Sequence, residues 1–303
     1  GTGFRDRAPA RSPHRRVGFG HAPDRRGAPA PPPGGPPMSA HALEAALRRH
    51  GALAVAVSGG IDSTVLADVA ARALGPGARM VHAISPAVPA AATERVRRHA
   101  RAGGWRLDLV DAGEFGDPRY RANPVDRCYF CKANLYGTIA AMTEGAIASG
   151  TNADDLGDYR PGLRAAAAHG VVHPYVEAGM GKAEIYALAR AMGLEDLAAL
   201  PAQPCLASRV ETGIAIDAGD LGFVERVEAA LHDRFGLGAV LRCRITGQGA
   251  ILELGAGLEA RGAEAAALAG RLAQTEGRRF LGHRPYRRGA AFLRPPGDAE
   301  AEG

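Results

Sequence analysis

The chain has 303 residues, of which 46% are apolar and 5% aromatic, with four cysteines. That length supports one large or two medium globular domains, with a core built mainly from Ala, Leu and Val. The formal charge of +5 is uneven: residues 1–37 hold seven of the 37 basic and two of the 32 acidic residues, so the remainder carries 30 of each. A body so balanced lacks the basic footprint of a nucleic-acid binder.

Residues 1–37 also hold nine of the 21 prolines and show no helical or strand periodicity, so they read as a disordered extension. They contain no apolar run and are neither a signal peptide nor a membrane span. Met38, directly before the first helical pattern, is the expected natural start. Without an export signal the cysteines point to the cytoplasm, where a Cys pair serves metal binding or catalysis more often than a disulfide.

Taken in order, His41–His50 reads as a short amphipathic helix, Leu53–Val57 as a strand and Thr64–Arg72 as a helix. Arg79–Ile84 is a second strand, Thr93–Ala102 a helix and Arg106–Val110 a third strand. Cys128–Thr143 is helical, Ala146–Ser149 a fourth strand, Val171–His173 a short fifth strand and Lys182–Met192 a helix. Alternating strands and helices predict an α/β fold with a doubly wound parallel sheet, ligands sitting at the carboxyl ends of its strands. Ser58, Ser85 and Gly150 all fall at such ends. From about residue 200 the pattern changes: Asp217–Phe235 is helical, Ala239–Thr246 and Ala250–Leu254 form a hairpin, and Ala263–Glu276 is a helix followed by a basic stretch, Arg278–Arg288. The expected organisation is an extension at 1–37, an α/β domain at 38–200, a smaller α+β domain at 201–294 and a frayed tail at 295–303.

Between the first strand and its helix lies Ser58-Gly59-Gly60-Ile61-Asp62-Ser63. Two glycines let successive N–H groups converge, the helix start adds its own N–H groups and dipole, and the serines add hydroxyls, which together make a cradle for a phosphate chain. The spacing is neither a Walker A loop nor Gly-x-Gly-x-x-Gly. It resembles the signature of the PP-loop ATP pyrophosphatases, adenine-nucleotide α-hydrolase-like proteins that split ATP between its α- and β-phosphates to adenylate a substrate. The remaining alternative is an ordinary Gly-rich strand–helix turn.

Cys128-Tyr-Phe-Cys131 places two thiols on nearly one face at the start of a helix, where the dipole favours thiolates. A redox dithiol, half of a zinc site, part of an iron–sulfur site and two packed cysteines all remain open. Cys205 sits in the rigid Pro201–Arg209 loop beside Arg209, as a candidate reactive thiol or a plain loop residue. Cys243 lies between Arg242 and Arg244 on a strand; alternation puts the arginines on one face, as an anion clamp or a solvated surface, and Cys243 on the other, in the core.

Taken together, Ser58–Ser63, Asn123–Lys132, Gly150–Arg164 and Pro201–Arg209 resemble the LarE family, ATP-dependent sulfur transferases of nickel-pincer cofactor synthesis, over roughly Met38 to Leu254. The resemblance implies adenylation of a carboxylate of a pyridinium biscarboxylic acid mononucleotide, followed by displacement of AMP by sulfur. It implies ATP and Mg²⁺ at Ser58, Gly59, Gly60, Asp62, Ser63, Ser85, Gly150 and Asp155, with Asp154 nearby. Substrate would be held by Arg160, Arg209, Arg242 and Arg244, and Cys205 and Glu228 would act in catalysis. Members with one loop cysteine sacrifice it; the set Cys128, Cys131 and Cys205 resembles members that hold a [4Fe–4S] cluster. A small-molecule nucleotide substrate and a homo-oligomer are expected, with no nucleic acid or membrane partner.

Two blocks depart from the family pattern. Val210-Glu-Thr-Gly213 replaces an apolar residue followed by Pro-Tyr-Gly, and Leu281–Gly289 lacks an expected aspartate. A paralogue that thiolates or amidates another carboxylate, and a PP-loop tRNA thiolation enzyme, are the competing readings; the neutral body disfavours the second.

Overall fold

The computed structural model describes residues 38–157, 161–199 and 204–287. The expected extension at 1–37, Arg160, residues 201–203 at the expected domain boundary and the tail at 295–303 lie outside the described residues.

The first half alternates as the sequence predicts. Helix α1 (Met38–His50) is followed by β1 (Leu53–Ala56), α2 (Ile61–Leu74), β2 (Ala78–Ala83), α3 (Ala90–Gly103) and β3 (Leu107–Val110). The short α4 (Pro118–Arg121) and longer α5 (Arg127–Ala140) lead to β4 (Ala146–Ala148). Then come α6 (Pro161–Ala168), α7 (Pro174–Glu177), α8 (Lys182–Ala191) and α9 (Glu195–Ala198). The four strands form one parallel sheet in the order β3-β2-β1-β4. Parallel neighbours need a crossover, and helices α2 and α3 supply it.

Strand β1 is buried at every residue, as a central parallel strand covered on both faces must be. Its side chains alternate: Leu53 and Val55 join the core formed with α1, α2 and α8, through Leu43, Leu66 and Ile185. Ala54 and Ala56 face the other way, into a smaller core with Tyr136, Ile139 and Ala165 from α5 and α6. The sheet is therefore clad by helices on both faces, a Rossmann-like arrangement that brings the carboxyl ends of β1, β2 and β4 to one rim.

The second half holds α10 (Ala218–Phe235), β5 (Leu241–Thr246), β6 (Gly249–Leu254), α11 (Gly262–Thr275) and β7 (Phe280–Pro285). The β5–β6 hairpin is antiparallel as expected, and β7 returns through α11 to lie parallel to β6. Its core packs Phe223, Val227 and Leu231 of α10 against Cys243, Leu252 and the alanines of α11. Ala87 and Tyr120, from the first half of the chain, enter the same core.

Three elements differ from expectation. Val171–His173 is not a strand: Val172 makes one parallel bridge to Ala148 and the chain then turns into α7 at Pro174, which has no N–H to extend a ladder. The basic stretch Arg278–Arg288 contains β7, hidden in sequence because none of the strand's residues is fully buried and Gly282, His283 and Arg284 break any apolar run. Helix α2 starts at Ile61, three residues before the helical spacing is visible, because its first turn belongs to the Gly-rich motif.

Gly150, at the carboxyl end of β4, touches the start of α2: a Cβ there would lie 2.9 Å from the Ser63 amide nitrogen. Backbone cannot swing aside as a side-chain tip can. Gly150→Ala should lower stability by roughly 1–3 kcal/mol through this overpacking, read from the urea midpoint; an unchanged midpoint would show that the helix start moves freely.

Candidate active site

The turn at Ser58–Ser63 is built as a collar. Gly59 has φ +82°, and a Cβ on it would meet the Ala92 carbonyl oxygen of α3 at 2.8 Å, so both conformation and space require glycine. The Ser63 Oγ accepts the Ser58 N–H at 3.0 Å and donates to the Gly60 carbonyl at 3.2 Å. The two serine hydroxyls lie 3.0 Å apart, and buried Arg95 donates to the Gly59 carbonyl at 2.7 Å. Gly60 caps α2 without a side-chain hydrogen bond, so the first-turn N–H groups face the turn. A glycine turn that leads into a helix N-terminus offers the free N–H groups that phosphate sites use.

The rim around it is polar. The Asp62 carboxylate lies 3.6 Å from Lys182 Nζ at the start of α8, and Tyr175 donates to the Asp62 carbonyl at 2.8 Å. Asp154 accepts the Lys182 N–H at 2.7 Å. Buried Asp155 accepts the Asn152 N–H at 3.2 Å and holds the turn after Gly150 in shape. Ser85, beyond the end of β2, accepts the Ala87 N–H at 3.2 Å. The expected nucleotide residues Ser58, Gly59, Gly60, Asp62, Ser63 and Gly150 share this rim, with Asp155 supporting it and Ser85 at its edge.

The Cys205 loop is attached to that edge. The Leu206 N–H donates to the Ala87 carbonyl at 2.9 Å, two residues from Ser85. On its other side the loop hangs on two buried arginines. Arg209 makes a two-pronged ion pair with Glu228 of α10, Nε to Oε1 at 3.0 Å and Nη2 to Oε2 at 2.8 Å. Its Nη1 reaches the carbonyls of Pro204 at 2.7 Å and Cys205 at 3.2 Å, and the Ser208 hydroxyl at 3.0 Å. Arg244 of β5 donates to the Ser208 carbonyl at 2.6 Å and pairs with Glu253 at 2.7 Å. Arg284 of β7 grips the other oxygen of Glu253. Glu228 also accepts the Cys243 N–H at 2.9 Å, and is a buried anchor rather than a surface helix residue.

Thus Arg209 and Arg244, expected on resemblance to hold substrate, have their guanidinium groups directed at the loop and at two carboxylates. Arg242, opposite Glu253 in the ladder, lies over the Tyr286 ring at 6.0 Å from its centroid. Burial first, and then the charge of Arg209, push its pKa down. Cys243 is fully buried among apolar side chains.

Asn123 opens the Asn123–Lys132 block, but the sequence assigned it no role. It is buried at φ +53°, a conformation in which asparagine is enriched. Its Nδ2 donates to the carbonyls of Glu211 and Ile214, each at 2.9 Å, and its own carbonyl accepts the Gly213 N–H at 2.9 Å. The entry to α5, which carries Cys128 and Cys131, is thereby fastened to the chain leaving the Cys205 loop. The Asn-Pro pair at 123–124 was the available signal. Asp117 is a second fastening: it accepts from the Arg119 side chain and from Asn134 of α5, and the Arg119 guanidinium holds its carboxyl well below the usual carboxylate range.

Cys205 is exposed, while Cys128 and Cys131 are half-buried. Burial pushes both half-buried thiols up, Cys131 to about 12, with the charge of Cys205 as the second cause for each. This overturns the expectation that the helix start favours thiolates there: desolvation outweighs the dipole. The three sulfurs form one electrostatic neighbourhood of soft donors, the chemistry an iron–sulfur cluster requires. Yet among the described residues no three His, Cys, Asp or Glu side chains are gathered closely enough to hold a metal ion.

Two outcomes follow. Glu228→Ala strands the Arg209 guanidinium without a counter-charge and should cost about 3–5 kcal/mol in equilibrium denaturation, as removal of one partner of a buried pair does. With iodoacetamide at pH 8, Cys205 should label first, Cys128 and Cys131 slowly, and Cys243 only after unfolding, as followed by peptide mass spectrometry.

No family model matches the chain. It is 38% identical over 182 residues to the uncharacterized protein slr1717 of Synechocystis sp., which covers 59% of this chain and 68% of that protein. It is 30% identical over 115 residues to the uncharacterized protein MJ0830 of Methanocaldococcus jannaschii, covering 37% of this chain and 44% of that protein. It is also 30% identical over 157 residues to the pyridinium-3,5-bisthiocarboxylic acid mononucleotide synthase of Lactiplantibacillus plantarum, covering 50% of this chain and 57% of the synthase. No helix among the described residues is long and apolar enough to cross a membrane. With a glycine collar at the sheet rim and an exposed cysteine on a braced loop beside it, the chain belongs to the same family as slr1717, and its similarity extends to the L. plantarum synthase.

Proposed function

We propose that the chain is an ATP-dependent sulfur transferase that adenylates a carboxylate of pyridinium-3,5-biscarboxylic acid mononucleotide and converts it to a thiocarboxylate. The observation that carries this reading is the hydrogen bond from the Leu206 amide to the Ala87 carbonyl, which ties the Cys205 loop to the rim of the glycine collar. The similarity to the L. plantarum synthase supports the substrate class.

A carboxylate is a poor electrophile until its oxygen carries a good leaving group. In the first step the substrate carboxylate attacks the α-phosphorus of ATP, and the bond to pyrophosphate breaks. The collar N–H groups, the Ser58 and Ser63 hydroxyls and a Mg²⁺ that accompanies ATP would offset the charge on the departing group. In the second step the Cys205 sulfur attacks the acyl carbon, and the carbon–oxygen bond to AMP breaks. Release of the thiocarboxylate then requires loss of the Cys205 Cα proton and cleavage of its Cβ–Sγ bond, leaving dehydroalanine. The alternative source is sulfide from a [4Fe–4S] cluster on Cys128, Cys131 and Cys205, which would require these three cysteines to come closer together than they lie here. Arg242, together with Arg160, is the proposed contact for the substrate's anionic groups. Arg209, Arg244 and Glu228 keep the cysteine loop in place.

Incubation with ATP, Mg²⁺ and the biscarboxylate mononucleotide should yield AMP, pyrophosphate and a product heavier by 16 Da for each oxygen replaced by sulfur. Mass loss of H₂S confined to Cys205 would identify the sacrificial route. Stoichiometric iron after anaerobic reconstitution, lost in each Cys→Ala variant, would identify the cluster route. Turnover that survives Cys205→Ala would overturn sulfur transfer from this loop in favour of an amide-forming relative, and copurifying tRNA that accepts sulfur would favour tRNA thiolation.

A further inference from the structure

Lys182 is the first residue of α8, and its side chain reaches the glycine collar. The base of that side chain is fixed. The Lys182 N–H donates to Asp154 Oδ2 at 2.7 Å, and the N–H of the preceding Gly181 donates to Glu184 Oε2 at 3.0 Å. Gly181 itself lies against Asp154, where a Cβ would meet Oδ2 at 2.8 Å. The tip is held more loosely. Its Nζ lies 3.6 Å from Asp62 Oδ2, beyond ordinary hydrogen-bond length, and the side chain is 49% exposed. Asp62 belongs to the first turn of α2, so the ammonium stands where the starts of α2 and α8 meet.

That is an unfavourable place for a cation. The positive end of a helix dipole favours anions and disfavours lysine in the first turn, and a partly exposed ion pair contributes little to offset this. Arg95, which also reaches the motif, is buried and braces its backbone through the Gly59 carbonyl. Lys182 instead presents a compact charge on a flexible stem at the same turn. An anion between the two helix starts would meet the α2 N–H groups on one side and the ammonium on the other, so that every charge there becomes favourable. We propose that Lys182 recognises the polyphosphate of the nucleotide, its ammonium turning from the Asp62 carboxylate to the β- and γ-phosphates and holding them as pyrophosphate departs. The proposal deepens the ATP-dependent reading and rests on it for the identity of the ligand, but it is independent of the sulfur source.

Calorimetric titration of the full chain with pyrophosphate, ATP and AMP at fixed Mg²⁺ is the test. Lys182→Met should weaken pyrophosphate and ATP binding by about tenfold and change AMP binding by less than about twofold, since one unit charge at about 4 Å acts strongly on the β- and γ-phosphates and weakly on a nucleotide that lacks them. Lys182→Arg keeps the charge and should recover most of the affinity, which separates a phosphate contact from a folding defect. Unchanged pyrophosphate and ATP binding in Lys182→Met overturns the proposal. Equal weakening of AMP overturns it as well, because the residue would then shape the rim rather than meet the polyphosphate. A loss that Lys182→Arg shares in full overturns the electrostatic assignment. ATP binding that survives Lys182→Met undiminished sinks the Lys182 proposal alone, whereas failure of the unmodified protein to bind ATP sinks the nucleotide reading and the proposal with it.

Discussion

The ion pair between Arg209 and Glu228 is the constraint on which the arrangement of the site depends. Both side chains are almost wholly removed from water, and isolated charges there would be costly to keep. The fold offsets that cost by using the groups several times over. Glu228 accepts two guanidinium N–H groups and the Cys243 amide. Arg209 spends its remaining donor on the backbone around Cys205. Such a pair contributes little net stability compared with apolar residues of the same size, but it does enforce a geometry. The geometry enforced is the position of Cys205 relative to α10 and β5.

A second pair repeats the device on the other side of the loop. Arg244 and Arg284 share Glu253, which is fully buried, and Arg244 extends to the Ser208 carbonyl. The chain around Cys205 is thus fixed through its backbone, which leaves the thiol itself exposed. In the proposed reaction, preorganisation of this kind would lower the cost of bringing the thiol to an activated carbon. Its counterpart is the glycine collar, where Arg95 and the Ser58–Ser63 pair hold the backbone while the N–H groups stay directed at the turn. The link from Leu206 to Ala87 puts the two preorganised parts side by side.

The collar was legible in sequence because its requirements are local. Gly59 needs a positive φ and Ser63 must bond back to Ser58, both within six residues, although the contact that leaves Gly59 no room for a Cβ comes from Ala92 of α3. The central strands were legible for a similar reason: residues buried on both faces read as unbroken apolar runs. β7 was not, because a half-exposed strand interrupted by Gly282, His283 and Arg284 carries no such run and, among the described residues, pairs only with β6. The thiols of Cys128 and Cys131 were misjudged, because a helix dipole is visible in sequence and desolvation by distant segments is not.

Sequence alone determined the residue types and their local geometry: the collar, the alternation of strand and helix, the pair of thiols on one helix face and the neutral body. Tertiary structure decided what those residues do. It directed the Arg209 and Arg244 guanidinium groups at the cysteine loop and two carboxylates, buried Glu228 against Arg209 and the Cys243 amide, and fastened the two cysteine segments through Asn123. The physical reason is that hydrogen bonds and burial between segments some 20 to 90 residues apart depend on which surfaces the sheet and the second core bring together, and no spacing along the chain encodes that.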